Sequence, residues 1–375
     1  MRFFGSLLFL ASFACASPAE VHGDQHELSV NLEKVVGTNT EFKATVTNNG
    51  KTDVQILKSG SIFDSRLIRK AWVSRPDGTS VEFKGMTLSV NSDVPLDENS
   101  FQHIASGGRF DVIFDLAKVY NLSGGGKFVV DAHGVFFFFE GQSTISRQVS
   151  YNSPSIEVEI DGELAAKAAN ANEPRNEARS VSSFAHCTPK QNAMLARAIN
   201  DCVTLANAGS AGAQSSDSDR LEMYFKNSSP FVRNHISTVF EEAQQLCDVT
   251  TSEKGYRAIC RTDYCGNDFG YIIGKEIAYC PSFFEPRGYI YGGLTDTAKI
   301  CFKPSRAHFV LKNAVSLTGR AKGKVVEHHE IIKLPMEHAR DNPANYASFA
   351  TSAKLQCVKE LSWKWAWQTA SEAFY

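Results

Sequence analysis

The chain has 375 residues, of which 43% are hydrophobic and 21% charged, and a formal net charge of -2. That length suits about two domains of roughly 100–200 residues each. The near-neutral balance gives no global pull toward nucleic acid or an anionic membrane, so any partner has to be argued from local features.

Residues 1–16 open with Arg2, continue as the apolar run 3–13 and end on Ala14, Cys15 and Ala16. This is the layout of a secretory signal peptide cut after Ala16. The run is shorter than the roughly 20 apolar residues of a membrane helix, and the nearest later stretch, 134–140 with its four consecutive Phe, has the length of a strand. A secreted, soluble mature protein is expected. Apart from Cys15, the cysteines are Cys187, Cys202, Cys247, Cys260, Cys265, Cys280, Cys301 and Cys357. An even number in an oxidising compartment reads as disulfides, and the absence of a Cys-x-x-Cys pair argues against a zinc finger or ribbon.

Residues 28–160 alternate as strands do. Leu28, Val30 and Leu32 share one face, and Phe42, Ala44 and Val46 run into the turn Asn48, Asn49, Gly50. Further strand candidates are 54–57, 71–74, 81–83, 110–114, 127–130, 135–139 and 155–160. The pattern predicts an antiparallel β-sandwich over 17–161. Residues 162–183 turn to Ala, Asn, Glu, Arg and Ser with Pro174, which predicts a linker. Beyond it the period becomes helical, because Leu195, Ile199, Cys202 and Leu205 recur at spacings of four, three and three. Helices are predicted over 191–208, 217–227 and 230–246, the last entered through Ser229 as N-cap with Pro230 at the first helical position.

Residues 222–227 (Glu-Met-Tyr-Phe-Lys-Asn), the pair Cys260 and Cys265 with Tyr264, residues 277–284 (Ile-Ala-Tyr-Cys-Pro-Ser-Phe-Phe) and residues 345–349 (Asn-Tyr-Ala-Ser-Phe) leading into Cys357 together resemble the deuterolysin, or aspzincin, family of secreted fungal zinc endopeptidases. The first half is similar to that family's propeptide, most clearly over 28–83. The resemblance implies a multi-domain chain: a signal peptide (1–16), a β-rich propeptide-like domain (17–161), the linker (162–183), a mainly α, zincin-like α+β domain with disulfides (184–357) and an aromatic C-terminal tail (358–375). It also implies bridges from Cys187 to Cys260, Cys265 to Cys280 and Cys301 to Cys357. Cys202 and Cys247 are left as a fourth pair that would join the first and third helices.

A zincin needs two neutral imidazoles one helical turn apart, a Glu beside the first and here an Asp as third ligand. No His-Glu-x-x-His occurs in this chain. Counted forward from Cys301, the family register places Lys312, Asn313 and Ser316 where the first ligand, the base and the second ligand belong. A shift onto His308 puts Phe309 and Lys312 in the other two places. No Asp occurs between Asp296 and Asp341. Residues 301–340 carry eight Lys or Arg against three Glu, and the substitute metal candidates are His308, His328, His329 and His338, with Glu330 beside them. His22 and His26, and His235 on the third predicted helix, read as non-functional. Asn121, in the sequon Asn121, Leu122, Ser123, is a glycosylation candidate.

The leading expectation is a secreted pseudoprotease that binds a protein or peptide without cleaving it, with no cofactor, no nucleic acid and no membrane partner. The alternative is an active zinc endopeptidase acting on basic proteins. Its motif would be hidden by a faulty gene model across 285–340 or replaced by the histidines named above.

Overall fold

The computed structural model describes residues 28–89, 98–140, 144–170, 184–247, 255–285, 305–321 and 331–356. The signal segment 1–16, Cys301, Cys357, His328, His329 and the tail 358–375 lie outside the described residues. The chain is α+β, with β-sheets, eight helices among the described residues and three disulfides.

The N-terminal half carries β1 (Leu28–Lys34), β2 (Glu41–Asn48), β3 (Val54–Leu57), β4 (Trp72–Ser74), β5 (Thr87–Ser89), β6 (Phe101–Ile104), β7 (Arg109–Asp115), β8 (Gly126–Asp131), β9 (His133–Glu140), β10 (Thr144–Asn152) and β11 (Ile156–Ile160). They form three antiparallel sheets with strand orders β1-β2-β7, β10-β9-β3-β6 and β11-β8-β4. Period-two patterning sets their inner faces. Leu28, Val30 and Leu32 alternate with exposed residues, as do Phe42, Ala44 and Val46 with half-buried ones. These side chains share a core with Ile56, Phe128, Val130, Phe136 and Phe138.

Strands β5, β6 and β10 lie outside the predicted segments, and two predicted segments take another form. Residues 81–83 form no named strand: Phe83 makes only an isolated bridge to Tyr120, while its ring takes the Arg69 guanidinium at 4.3 Å and the Tyr120 ring at 5.3 Å. Backbone bonds flank that bridge, the Lys84 amide donating to the Val119 carbonyl at 2.8 Å and the Asn121 amide to the Glu82 carbonyl at 3.0 Å. The segment read as a linker opens as helix α1 (Gly162–Asn170), whose Ala165 is buried in the N-terminal core. Asp161 starts it by accepting the Glu163 and Leu164 amides at 2.9 and 3.1 Å.

The C-terminal half contains α2 (Pro189–Gln214), α3 (Ser218–Phe225), α4 (Pro230–Cys247), β12 (Arg257–Cys260), β13 (Gly270–Ile273), β14 (Glu276–Tyr279), α5 (Pro281–Phe284), α6 (Arg306–Thr318), α7 (Met336–Asp341) and α8 (Pro343–Leu355). A capping box between Thr188 and Gln191 fixes the start of α2. Ser229 accepts the Val232 amide at 3.5 Å in front of α4. Helix α8 is buried at every position from Pro343 to Ala353 and packs against α2, α3, α6 and α7. Small residues on it allow that closeness, and Ala353 Cβ lies 2.9 Å from where a Cβ on Gly212 of α2 would be. Around it Tyr224, Phe225, Phe240, Tyr346 and Phe349 form one aromatic cluster.

The three bridges join Cys187 to Cys260, Cys202 to Cys247 and Cys265 to Cys280. The second ties α2 to α4. The third closes the loop that leads into β13.

A fourth sheet has the order β12-β14-β13-β5. Its outer strand comes from the N-terminal half: Ser89, Leu88 and Thr87 pair antiparallel with Gly270, Tyr271 and Ile272. A small core seals this junction, with Ile68 and Met86 from one half against Ile259, Cys265, Tyr271, Ala278 and Cys280 from the other.

Candidate functional site

Helix α6 carries the three positions singled out by the sequence, and local signals delimit it. Ser305 caps it by accepting the His308 amide at 3.1 Å, and Gly319, at φ +74°, closes it with its amide on the Ser316 carbonyl. Phe309 turns toward the fourth sheet, meeting Phe269 at 5.7 Å, Phe283 at 5.5 Å and Tyr279 at 6.2 Å between ring centroids. Gly270 in β13 permits the approach. A Cβ there would stand 2.2 Å from the Ala278 carbonyl oxygen and 3.5 Å from the Phe309 ring. Arg306 anchors the first turn of α6, donating to the carbonyls of Phe283 at 2.7 Å and of Phe284 and Glu285 at 3.3 Å.

Lys312 and Ser316 stand one helical turn apart on α6 and Asn313 beside them, so the i, i+1, i+4 arrangement is physically present. Lys312 is 7% exposed and places its ammonium 5.4 Å from the centre of the Phe309 ring, a cation–π distance. Asn313 is 4% exposed; its Oδ1 accepts from Ser89 Oγ at 3.4 Å, while its buried Nδ2 has no hydrogen-bond partner among the described residues. Ser316 Oγ donates back to the Lys312 carbonyl at 3.0 Å.

Of the other candidates among the described residues, His308 lies one turn before Lys312 on α6 and His338 lies on α7. His308 is buried with its Nδ1 at 3.3 Å from Thr351 Oγ1 on α8, and His338 is exposed on α7. Among the described residues no group of three or more His, Cys, Asp or Glu is placed to hold a metal ion. His235, half-buried on α4, is shifted toward its neutral form first by burial and then by Arg340 and Arg320.

Sequence reasoning missed the ring of contacts between the halves. Arg66 lies 2.7 Å from Asp64 and 2.8 Å from Asp268, donates to the Tyr264 carbonyl at 2.8 Å, and donates to Ser59 Oγ at 2.8 Å. Ser59 donates in turn to both Asp268 oxygens, at 3.0 and 2.9 Å. Burial opposes the charge on Asp64, but the hydrogen bonds and charge of Arg66 outweigh it and hold the carboxyl below its ordinary value of 3.8. Asp268 follows Gly266 and Asn267 just after a bridge cysteine, a turn signal that names no partner 200 residues away.

Asn121 is exposed, its amide nitrogen is 3.3 Å from Glu82 Oε2, and Ser123 Oγ donates to its Oδ1 at 2.8 Å.

A disulfide-bonded α+β chain whose second half is built on packed helices defines the class, and sequence comparison gives the family. The family model for the deuterolysin metalloprotease (M35) family matches residues 2–319. A neutral protease 2 homolog of Colletotrichum graminicola is 31% identical over 297 residues, covering 76% of this chain and 81% of that protein. Homologs of the same name from Coccidioides posadasii and Uncinocarpus reesii are 26% and 28% identical and cover 93% and 94% of this chain and 98% and 99% of their own lengths. The chain belongs to the deuterolysin metalloprotease family.

That family implies a zinc ion, and the donor set on α6 does not fit one. An ammonium has no lone pair to give and repels a cation, and a side-chain amide and a hydroxyl are weak neutral donors beside the thiolates, imidazoles and carboxylates that zinc takes.

Proposed function

We propose that this chain is a secreted, catalytically inactive deuterolysin-like protein, a pseudoprotease that binds a protein or peptide without cleaving it. One observation carries the reading: Lys312 and Asn313, both buried, and the half-buried Ser316 one turn beyond Lys312 occupy on α6 the register that the family resemblance gives to the ligand, base and second ligand. A peptide bond polarised by no metal and attacked by water with a pKa near 15.7, against about 7 for zinc-bound water, is not hydrolysed on a useful timescale. The neutral protease 2 homologs are the source of the fold on this reading, with the binding surface kept and the chemistry lost.

The N-terminal half is read as a propeptide-like β-sandwich domain (17–161) and the C-terminal half as the deuterolysin-like domain (184–357). The three antiparallel sheets around one core support the first assignment, and the separate helical core supports the second. Secretion is supported by the 1–16 segment and the disulfides; no described helix is long and apolar enough to cross a membrane.

Elemental analysis of the purified chain after mild dialysis tests the reading. It predicts no stoichiometric zinc. One zinc per chain would overturn it.

A further inference from the structure

The sheet β1-β2-β7 ends on β7, a seven-residue edge strand that pairs with β2 alone among the described residues. Its ladder is fixed at both ends by 2.9 Å bonds, from the Leu116 amide to the Thr40 carbonyl and from the Asn48 amide to the Gly108 carbonyl. Hydrogen-bonded pairs alternate along an antiparallel ladder, so Phe110, Val112 and Phe114 turn their backbone groups to β2. The amides and carbonyls of Arg109, Asp111, Ile113 and Asp115 then point off the sheet, with no backbone partner among the described residues. An open edge of this length is a template for another strand. We propose that it is the interface of a symmetric homodimer, in which the β7 strands of two copies pair antiparallel about Val112 and join their sheets into one. The proposal concerns assembly and stands apart from the peptide-binding reading.

Charge complementarity names the second copy as the occupant. With the two-fold axis through Val112, Arg109 faces the partner's Asp115 at both ends of the pairing, Phe110 faces the partner's Phe114 and Val112 faces its own symmetry mate. Asp115 has an oxygen to give, because the Thr40 hydroxyl and the Ala117 amide both bond its Oδ1, at 2.6 and 3.0 Å. The same register sets the free backbone groups of residues 109, 111, 113 and 115 opposite one another, so backbone and side chains select one arrangement. Sliding by one step either way puts Asp111 opposite the partner's Asp111 or opposite the partner's Asp115, and like charges directly opposite are destabilising. The pairing also covers apolar surface left open in the single chain. Phe110, across from Val46 on the core face, is 40% exposed, and Ile113 on the other face is 63% exposed. Edge pairing of one short strand stands well below the ~1,600 Å² of a standard interface, which places the dissociation constant in the micromolar range or weaker.

The test is sedimentation equilibrium of the full chain over roughly 1–300 micromolar, the span that so small an interface calls for, with amide exchange of β7 followed at both ends of that span. A monomer–dimer equilibrium is expected, with exchange at Arg109, Asp111, Ile113 and Asp115 slowed several-fold at the higher concentration. Arg109→Glu, at an exposed position, sets a carboxylate against the partner's Asp115 and should weaken dimerisation at least tenfold, whereas Arg109→Lys should keep it. Val112→Cys should cross-link to its symmetry mate on mild oxidation, since directly opposed residues of a non-hydrogen-bonded pair have Cα atoms about 4.5 Å apart. Ile113→Cys, although more exposed, should cross-link several-fold less, because it lies diagonal to its mate. Circular dichroism identifies folded variants, and exchange in the unmodified chain reads the edge with no substitution at all. A chain that stays monomeric throughout overturns the proposal. A dimer that leaves exchange at these four residues unchanged, that Arg109→Glu does not weaken, or that cross-links through Ile113→Cys in preference to Val112→Cys forms through another surface or register, and overturns it equally.

Discussion

Arg66 shows how one residue couples the two halves. Its guanidinium serves two carboxylates that are almost fully buried, so Arg66→Ala removes the cation that Asp64 and Asp268 share. Breaking a buried ion pair from one side costs about 3–5 kcal/mol, and we predict a loss of that size in urea unfolding at pH 7. The pH dependence follows from the direction of the Asp64 shift. A carboxyl held below its ordinary value of 3.8 contributes stability above that pH and loses it as pH falls through the depressed folded value. The gap between the unmodified chain and Arg66→Ala should therefore narrow below pH about 4; a gap that stays constant from pH 7 to pH 3 would contradict the assignment. A second residue-scale prediction concerns Asn121, whose exposed side chain and Ser123 hydroxyl are accessible in a polar turn. Secreted material from a fungal host should lose mass at the peptide containing Asn121 after glycosidase treatment, and an unmodified Asn121 would count against it. The sequon is legible because it is local. The Arg66 cluster is not, since the chain separates Arg66 from Asp268 by two hundred residues and no periodicity links them.

At the scale of elements, what was legible is what has a period and a stop signal. The α2 and α4 patterns give helices because one apolar stripe faces a core, and Ser229 and Pro230 mark the entry of α4, whereas the Thr188 cap opens α2 ahead of the expected start at 191. Their lengths were less legible: α2 continues past 208 to Gln214, because Gly209 and Gly212 are tolerated where they let Phe240 and Ala353 close in. Helix α8 gave no stripe at all, being buried all round. Strands β12, β13 and β14 have four residues each, too few to establish a period of two. Gly209 gives the clearest test of the α2–α4 contact. A Cβ there would sit 2.6 Å from the Phe240 ring, so Gly209→Val should cost about 1–3 kcal/mol through overpacking, measured as a lower denaturation midpoint at unchanged slope. Replacing Cys202 and Cys247 together by Ala, which opens the 45-residue separation between α2 and α4, should cost about 3–4 kcal/mol by the loop-entropy model. Equal stability of the double variant and the unmodified chain would show that the bridge adds nothing to the packing.

For the molecule as a whole, the chain belongs to the deuterolysin metalloprotease family, and on the proposed reading helix α6 carries an ammonium, an amide and a hydroxyl at the three chemical positions. The candidate positions could be located from sequence because the family resemblance sets a register counted forward from Cys301. Their environment could not. That Asn313 meets Ser89 and that β13 is covered by a strand from the other half depend on contacts more than 170 residues apart in the chain. The triple substitution Lys312→His, Asn313→Glu and Ser316→His should not restore hydrolysis, because the third ligand is still missing: no Asp occurs between Asp296 and Asp341. The most direct measurement is hydrolysis of a basic protein such as a histone by the unmodified, sequence-verified chain at saturating zinc, with a chelator control. The account predicts no cleavage above the chelated control. Chelator-sensitive cleavage would contradict it and would mean that His328, His329 or His338 supply a working metal site.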